Sequence, residues 1–369
     1  MDSLVEKLEE TLLMGPGPSS VPPGVYKAIS HCCIGHLDPR FIEIMDANKE
    51  QLRQVMLTKN QVTIPMSGTG SAGMETVLVN LIEPGDNVLV LVNGVFGGRM
   101  KEIATRLRAE VDAIEFEWGT PVLPEDVKAA LGKKKYKLVA VVHAETSTGV
   151  ANPVEKIGQL VKEHGALYVV DAVTSLGGMP VRVDEWGIDA LYSGTQKCLS
   201  CPPGLSPVTI SDRAAEVVRN RKTKVPNWYL DLNLLMNYWE GNTRAYHHTA
   251  PINMNYALYA SLQLILEEGL EKVWARHKET HEYLIERLGE LGFTMLVDTP
   301  YRLPMLNAVV IPEGVEDKAV RGRLLKEHRI EIGGGLGALA GKIWRVGIMG
   351  HTARKESVDR LADALKAII

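Results

Sequence analysis

Short apolar runs separated by longer amphipathic stretches fill the first part of the sequence, and they constrain its fold most. Continuous apolar runs are typical of strands buried on both faces of a sheet, and intervening helices allow such strands to run parallel. The sequence therefore predicts an α/β fold, with a doubly wound domain around a mostly parallel sheet. The runs cover residues 61–66, 87–94, 111–117, 136–145, 166–173, 188–194 and 206–211.

The pattern changes near residue 253, where a long amphipathic helical stretch begins, with an interruption near Gly269. Strand candidates and helical stretches then alternate, which predicts a second, smaller α/β unit. The strand candidates are 306–312, 329–335 and 343–348, and the helical stretches are 316–327 and 354–368. We predict an N-terminal segment (1–20), a large domain (21–267) and a small C-terminal domain (268–369).

Composition narrows the function classes. The chain of 369 residues is 45% hydrophobic and 23% charged, as in ordinary globular proteins. Its net charge of -4 and its lack of a basic block argue against a nucleic-acid partner or an anionic membrane surface. No apolar run approaches the roughly 20 residues of a membrane span. The N-terminus lacks the basic and apolar regions of a secretory signal. We therefore predict a cytoplasmic protein.

The four cysteines are too few for a disulfide scaffold. The spacing of Cys198 and Cys201 leaves open a redox pair or half of a zinc site. Adjacent Cys32 and Cys33 do not have the spacing of a second zinc-binding pair. We predict buried, reduced thiols and no metal site.

A glycine-rich loop, SGTGSAG at 67–73, follows the first predicted strand. It matches the dinucleotide fingerprint, but that fingerprint expects an acidic residue at the end of the second strand, which here ends at Asn93-Gly94. Small residues let the backbone approach a phosphate, and the following helix presents free N–H groups. The loop therefore favours a phosphate anchor, with a dinucleotide site or a plain turn as alternatives.

Two further strand ends carry residues that suit one cofactor. Asp171 ends an apolar strand, where a carboxylate either caps a helix, joins an ion pair or holds a pyridine nitrogen protonated. Lys197 follows the next strand among small residues, where burial would make its neutral amine available for a Schiff base. Seen alone, it could be a structural or surface lysine. Pyridoxal phosphate explains the loop, the carboxylate and the lysine together.

These residues lie in motifs that resemble those of the class V, fold-type I aminotransferases that use pyridoxal phosphate. The alanine–glyoxylate and serine–pyruvate aminotransferases are the most similar. The resemblance extends over nearly the whole chain, from LLMGPGPSSVPP at residue 12 to the last helix. Its other motifs are MSGTGSAGMET, NGVFGGR, HAETSTGV, VVDAVTSLGG, LYSGTQK, PPG, AYHHT and WRVGIMG.

The resemblance implies a role for each matching residue around the cofactor. Lys197 is expected to form the Schiff base, and Asp171 to pair with the ring nitrogen. Phe96 is expected to stack on the ring and Thr146 to lie beside its phenolic oxygen. Contacts to the phosphate are implied for Thr69, Gly70, Ser71 and Gln196. Ser71 stands where some members have histidine and Phe96 where most have tryptophan, and both departures bear on the amino donor.

The resemblance also implies contacts with the substrate and with a second subunit. Arg345 is expected to hold the α-carboxylate of the substrate, although taken alone it could form a salt bridge within the sheet. The backbone at Gly17 is expected near the substrate. Tyr246 and Thr249 resemble residues that reach the phosphate from the other subunit of a homodimer.

The function implied is ping-pong transfer of an amino group from alanine or serine to glyoxylate or pyruvate. Other class V transaminases, with 3-hydroxykynurenine or 2-aminoethylphosphonate as donor, are alternatives, and so is a nicotinamide-dependent dehydrogenase. A cysteine desulfurase is disfavoured because no cysteine lies beyond Cys201. A protein of this fold without activity is disfavoured because Lys197, Asp171 and Arg345 are all present. Adjacent His247 and His248 are interpreted as structural.

Overall fold

The computed structural model describes residues 3–240 and 244–369. The strands are β1 (Leu12–Leu13), β2 (Val62–Ser67), β3 (Asn87–Val92), β4 (Glu110–Glu115), β5 (Leu138–Val142), β6 (Ala144–Glu145), β7 (Val150–Ala151), β8 (Leu167–Asp171), β9 (Ala190–Tyr192), β10 (Leu205–Ile210), β11 (Leu306–Val310), β12 (Ile330–Glu331), β13 (Gly333–Gly334) and β14 (Ile343–Gly347). The helices are α1 (Pro23–Ile29), α2 (Pro39–Met56), α3 (Gly70–Leu81), α4 (Val95–Arg106), α5 (Pro124–Leu131), α6 (Val154–His164), α7 (Asp212–Arg219), α8 (Leu232–Trp239), α9 (Ile252–Glu268), α10 (Leu270–Glu290), α11 (Asp317–His328) and α12 (Lys355–Ile368).

The central sheet has seven strands in the order β2-β10-β9-β8-β5-β3-β4. Neighbouring strands from β9 to β4 are parallel, whereas β10 is antiparallel to both β9 and β2. The connection from β9 to β10 contains no helix, so the chain returns beside β9 in the opposite direction. The predicted α/β fold with a mostly parallel sheet is confirmed.

Helices cover both faces of this sheet, because successive side chains of a strand point to opposite faces. In β3, Val88 and Val90 pack in one core with residues of α3 and α4. Leu89 and Leu91 pack in a second core with residues of α6 and α9. This arrangement leaves the strand ends open at the edge where the polar loops lie.

The long helical stretch is two helices, α9 and α10, separated by Gly269, whose φ of 88° is unfavourable for other residues. Beyond them, β11, β14 and β13 form an antiparallel sheet, and β12 pairs in parallel with β1. Met14 and Trp344 lie in one core there. The predicted strand at 329–335 is thus two short strands in different sheets. The division at residue 268 stays a prediction.

The cysteine prediction holds for only one pair. Cys198 and Cys201 are buried free thiols, but Cys32 and Cys33 are exposed, so the predicted burial is wrong for them. They lie in the connection between α1 and α2, where local sequence gives no indication of packing. No helix of residues 3–240 and 244–369 is long and apolar enough to cross a membrane.

Candidate active site

A cavity of about 230 Å³ lies at the carboxyl ends of the central strands. Ligands collect at this edge of open α/β sheets because the loops after the strands converge there. Eight of the residues implicated by sequence line it, namely Thr69, Gly70, Ser71, Phe96, Thr146, Asp171, Gln196 and Lys197. Met74, Arg99, Val142, Ala144, Val173 and Thr174 complete the lining.

Lys197 lies in the loop after β9, and its Nζ donates a hydrogen bond to the Pro16 carbonyl oxygen. The pKa of this amine is lowered from 10.5 to about 8, mainly by burial, and the Arg345 cation acts in the same direction. Gly17 has a φ of +104°, and a Cβ there would lie 2.6 Å from Lys197 Nζ. Glycine is therefore required at 17, and a fraction of the Lys197 amine is neutral near pH 7.

Asp171 is the last residue of β8 and only 3% exposed. Its two oxygens accept hydrogen bonds from the Val173 N–H and the Tyr192 hydroxyl, each at 2.9 Å. Burial raises the pKa of Asp171 to about 6, while these two bonds and the Lys197 charge lower it. A buried carboxylate in such a position gains stability from a nearby cation.

The start of α3 gives the glycine-rich loop features that suit an anion. Thr69 precedes the helix, and its side chain makes no capping hydrogen bond. The first amides of a helix lack partners within the helix, and they favour anions. A Cβ at Gly70 would lie 3.0 Å from Val173 Cγ2, so a larger residue would press on the cavity wall.

Two charged residues in or beside this cavity were not singled out in the sequence. Arg99 lines the cavity, its Nη1 lies 3.2 Å from Ser71 Oγ, and its guanidinium lies 5.1 Å from the Phe96 ring centroid. Glu145, adjacent to Thr146, is fully buried, and burial raises its pKa to about 7. The signal that could have found it is a glutamate at the end of a buried strand.

Arg345 lies on β14 and is 8% exposed. Its Nε donates to the Gly334 carbonyl at 2.7 Å, and Nη1 lies 3.5 Å from the Thr146 carbonyl. Burial lowers its pKa. Within the described part of the chain it forms no ion pair, so the alternative of a salt bridge within the sheet is not what the structure has.

Tyr246 and Thr249 do not line the cavity of their own chain. Both are exposed, Tyr246 by 60%, and their hydroxyl oxygens are 3.4 Å apart. The neighbouring histidines form structural hydrogen bonds, as predicted. His248 Nε2 lies 2.7 Å from Ser67 Oγ, and the Nδ1 atoms of His247 and His248 are 2.8 Å apart.

A larger cleft of about 640 Å³ lies between α9, α10 and the start of α12. Its Arg276 is already bonded to Glu268 and to the carbonyls of Gly350 and Ala353. Burial raises the pKa of Cys198, which lines it, to about 12, so this thiol stays protonated. The Lys197 amine and the Asp171 carboxyl group lie in the smaller cavity.

A family model settles the relationship of the chain. The model, described as "Aminotransferase class-V", matches residues 13–361. The chain belongs to the class V aminotransferases. It is thus a transaminase, and the alternative of a nicotinamide-dependent dehydrogenase is wrong.

Relatives of this aminotransferase cover almost its whole length. The alanine–glyoxylate aminotransferase of Oryctolagus cuniculus is 41% identical over 358 residues, which are 96% of this chain and 91% of the relative. The (S)-ureidoglycine–glyoxylate transaminase of Bacillus subtilis is 41% identical over 375 residues, with 97% and 90% covered. A crystal structure of alanine–glyoxylate aminotransferase from Nostoc sp. matches with a TM-score of 0.97 and 50% identity, covering 100% of this chain and 97% of that one.

Pyridoxal 5'-phosphate is the cofactor of this aminotransferase family. The donor set of the cavity fits that group. Free amides and hydroxyls at the start of α3 suit a phosphate, Asp171 suits a ring cation, and the partly neutral Lys197 amine suits an aldehyde.

Proposed function

We propose that this aminotransferase moves the amino group of a small L-amino acid, alanine or serine, to glyoxylate or pyruvate by a ping-pong mechanism. The observation that carries the proposal is one cavity lined by Lys197, with its lowered pKa, by Asp171 and by the loop at the start of α3. The relatives named for alanine and glyoxylate support the choice of substrates.

When bound, pyridoxal phosphate supplies the aldehyde that takes up the amino group and the ring that spreads the negative charge left on the substrate carbon. Lys197 would hold the cofactor through its Nζ before substrate arrives. The Lys197 amine would also act as the general base that takes the proton from the substrate Cα and returns it later. Asp171, held by Tyr192 and Val173, would keep the ring nitrogen positively charged.

The proposed clamp on the substrate is Arg345. Its guanidinium presents a planar pair of donors, which match the two oxygens of a carboxylate. The bond from its Nε to the Gly334 carbonyl fixes one side of the group and leaves other donors for substrate. The backbone at Gly17, which lies close to the Lys197 side chain, is proposed to lie near the substrate.

The proposed functional unit is a homodimer with shared sites. Tyr246 and Thr249 are exposed on their own chain, and in the proposed dimer their hydroxyls reach the phosphate held by Thr69, Gly70, Ser71 and Gln196 of the other subunit. Phe96 would stack on the ring and Thr146 would contact its phenolic oxygen. A cytoplasmic location is part of the proposal.

A half-reaction screen tests the substrate choice. Holoenzyme is mixed with one donor at a time, and the loss of the visible cofactor band is followed. The donors are alanine, serine, (S)-ureidoglycine, 3-hydroxykynurenine and 2-aminoethylphosphonate. We expect alanine or serine to react fastest and glyoxylate or pyruvate to restore the band. Fastest reaction with any other donor would contradict the proposal.

An Arg345→Lys variant is the matched control for this screen. Lysine keeps the charge but loses the planar pair of donors, so KM for alanine should rise about 10-fold. For a donor without a carboxylate, 2-aminoethylphosphonate, KM should change by a different factor than for alanine. An equal change in both KM values would show that Arg345 does not bind the substrate carboxylate.

A further inference from the structure

Glu145 is a buried carboxylate that the mechanism above does not use. It ends β6, is 0% exposed, and lies directly before Thr146. A buried charged group is costly unless every oxygen has a partner. Its partners therefore indicate why the chain keeps a carboxylate here.

The partners of Glu145 come from its own turn and from the start of α4. Oε1 accepts from the Ser147 hydroxyl at 2.6 Å and the Ser147 N–H at 3.1 Å. Oε2 accepts from the N–H groups of Phe96 at 3.2 Å and Gly97 at 3.3 Å. The Ser147 hydroxyl in turn accepts from the Val95 N–H at 2.9 Å. The first three amides of α4 are thus all satisfied by Glu145 and Ser147.

This arrangement replaces an ordinary helix cap. The residue before α4 is Gly94, which has no side chain to accept these bonds. A Cβ at Gly94 would clash with both capping side chains, since it would lie 2.5 Å from Glu145 Cδ. The capping groups therefore come from a different segment, the one that carries Thr146.

The cap joins two residues that the proposed function assigns to the cofactor ring, Phe96 on its face and Thr146 at its edge. We propose that Glu145 is a positioning residue that fixes Phe96 and Thr146 relative to each other and so holds the cofactor ring in one orientation. This inference rests on the proposed function, because it takes both contacts from it.

The proposal requires a carboxylate at position 145. All four contacts bring a donor to Glu145, and each oxygen faces at least one backbone N–H. Glutamine has the same shape, but in either orientation its NH₂ group would face a backbone N–H. The Glu145→Gln variant therefore removes the negative charge and one acceptor atom while it keeps the volume of the side chain.

The test compares Glu145→Gln and Ser147→Ala with Ser211→Ala. Ser211 is a matched control, because its hydroxyl caps α7 by accepting from the Ala214 N–H and donates to buried Asp189. Ser211 follows β10, which is antiparallel to β9, so it lies at the amino-terminal ends of the parallel strands, whereas the cavity lies at their carboxyl ends. Both serine variants thus lose a helix cap, but only Ser147 lies near the proposed cofactor site.

The readouts are the induced circular dichroism of bound pyridoxal phosphate, kcat and KM for the best donor, and thermal stability. We expect Glu145→Gln and Ser147→Ala to lose induced dichroism per bound cofactor and about 10-fold in kcat, because small misplacements of reacting groups are costly. KM should change less than about twofold, since Arg345 is untouched. Ser211→Ala should lose stability alone.

Retention of both the dichroism signal and kcat in Glu145→Gln and Ser147→Ala would overturn the positioning role. If Glu145→Gln does not fold, Ser147→Ala alone decides the matter. A wild-type protein that shows no dichroism from bound cofactor would instead contradict the proposed function. The two failures are therefore distinguishable.

Discussion

The two ends of the cofactor cavity differ in how much of the site one chain supplies. At the inner end, Lys197 and Asp171 have shifted pKa values, and Asp171 accepts hydrogen bonds from its own chain. At the other end, the proposed site would be completed by Tyr246 and Thr249 of a second copy, which are exposed on their own chain with their hydroxyl oxygens 3.4 Å apart. Groups for proton transfer are thus organised within one chain, whereas in the proposed homodimer a second chain would add contacts to the phosphate.

The inner end is tested most strongly by Asp171→Asn. Asparagine keeps the size of the side chain but cannot hold a positive charge on the ring nitrogen. We expect kcat to fall about 1000-fold, at the upper end of the losses measured when one charge-stabilising group is removed. Absorbance of the purified variant should show that cofactor is still bound. A fully active variant with bound cofactor would mean that the nitrogen is held by another group.

The pKa of Lys197 provides the second test of the inner end. Burial lowers this pKa to about 8, and only the neutral amine attacks an aldehyde. Capture of pyridoxal phosphate by the apoprotein should therefore accelerate as pH rises to about 8 and then level off. At pH 7.5 the neutral fraction is roughly 200-fold above that of an ordinary lysine. Stopped-flow absorbance measures the rate, and a rate still climbing steeply between pH 8 and 10 would contradict the shift.

The outer end is tested by the Tyr246→Phe, Thr249→Ala double variant. Loss of two hydroxyls that bond to a phosphate should weaken cofactor retention at least about 10-fold, since each bond to a charged group is worth about 1.5–3 kcal/mol. Equilibrium dialysis measures the retained cofactor. The inner end should be unaffected, so kcat at saturating cofactor should stay near that of the wild type.

Mixing this double variant with Lys197→Ala decides whether the two ends come from different chains. A mixed dimer would have one site with an intact lysine and intact hydroxyls, so after subunit exchange about a quarter of wild-type tight cofactor binding should return. In samples of the two variants that are kept separate, no subunits exchange and no tight cofactor binding should return. Failure of the mixture to recover tight binding would show that Tyr246 and Thr249 do not act across subunits.

The features of the fold and site that depend on local sequence pattern could be predicted. Continuous apolar strands are recognisable because both faces are buried, and the residues at their ends, such as Asp171 and Lys197, follow from strand position. The role of Glu145 as a cap of α4 could not be predicted, because its partners at Phe96 and Gly97 lie far away in sequence. The same reason explains the error at Cys32 and Cys33, since exposure of a loop depends on what packs against it.

The covalent attachment of the cofactor is the central claim, and reduction with borohydride tests it most directly. The holoprotein is reduced, digested and mapped by mass spectrometry, with Lys197→Ala treated in parallel. We predict that the pyridoxyl group is found on the peptide that contains Lys197 and that the variant carries none at this position. Modification of a different lysine, such as buried Lys49, with Lys197 unmodified would contradict the account.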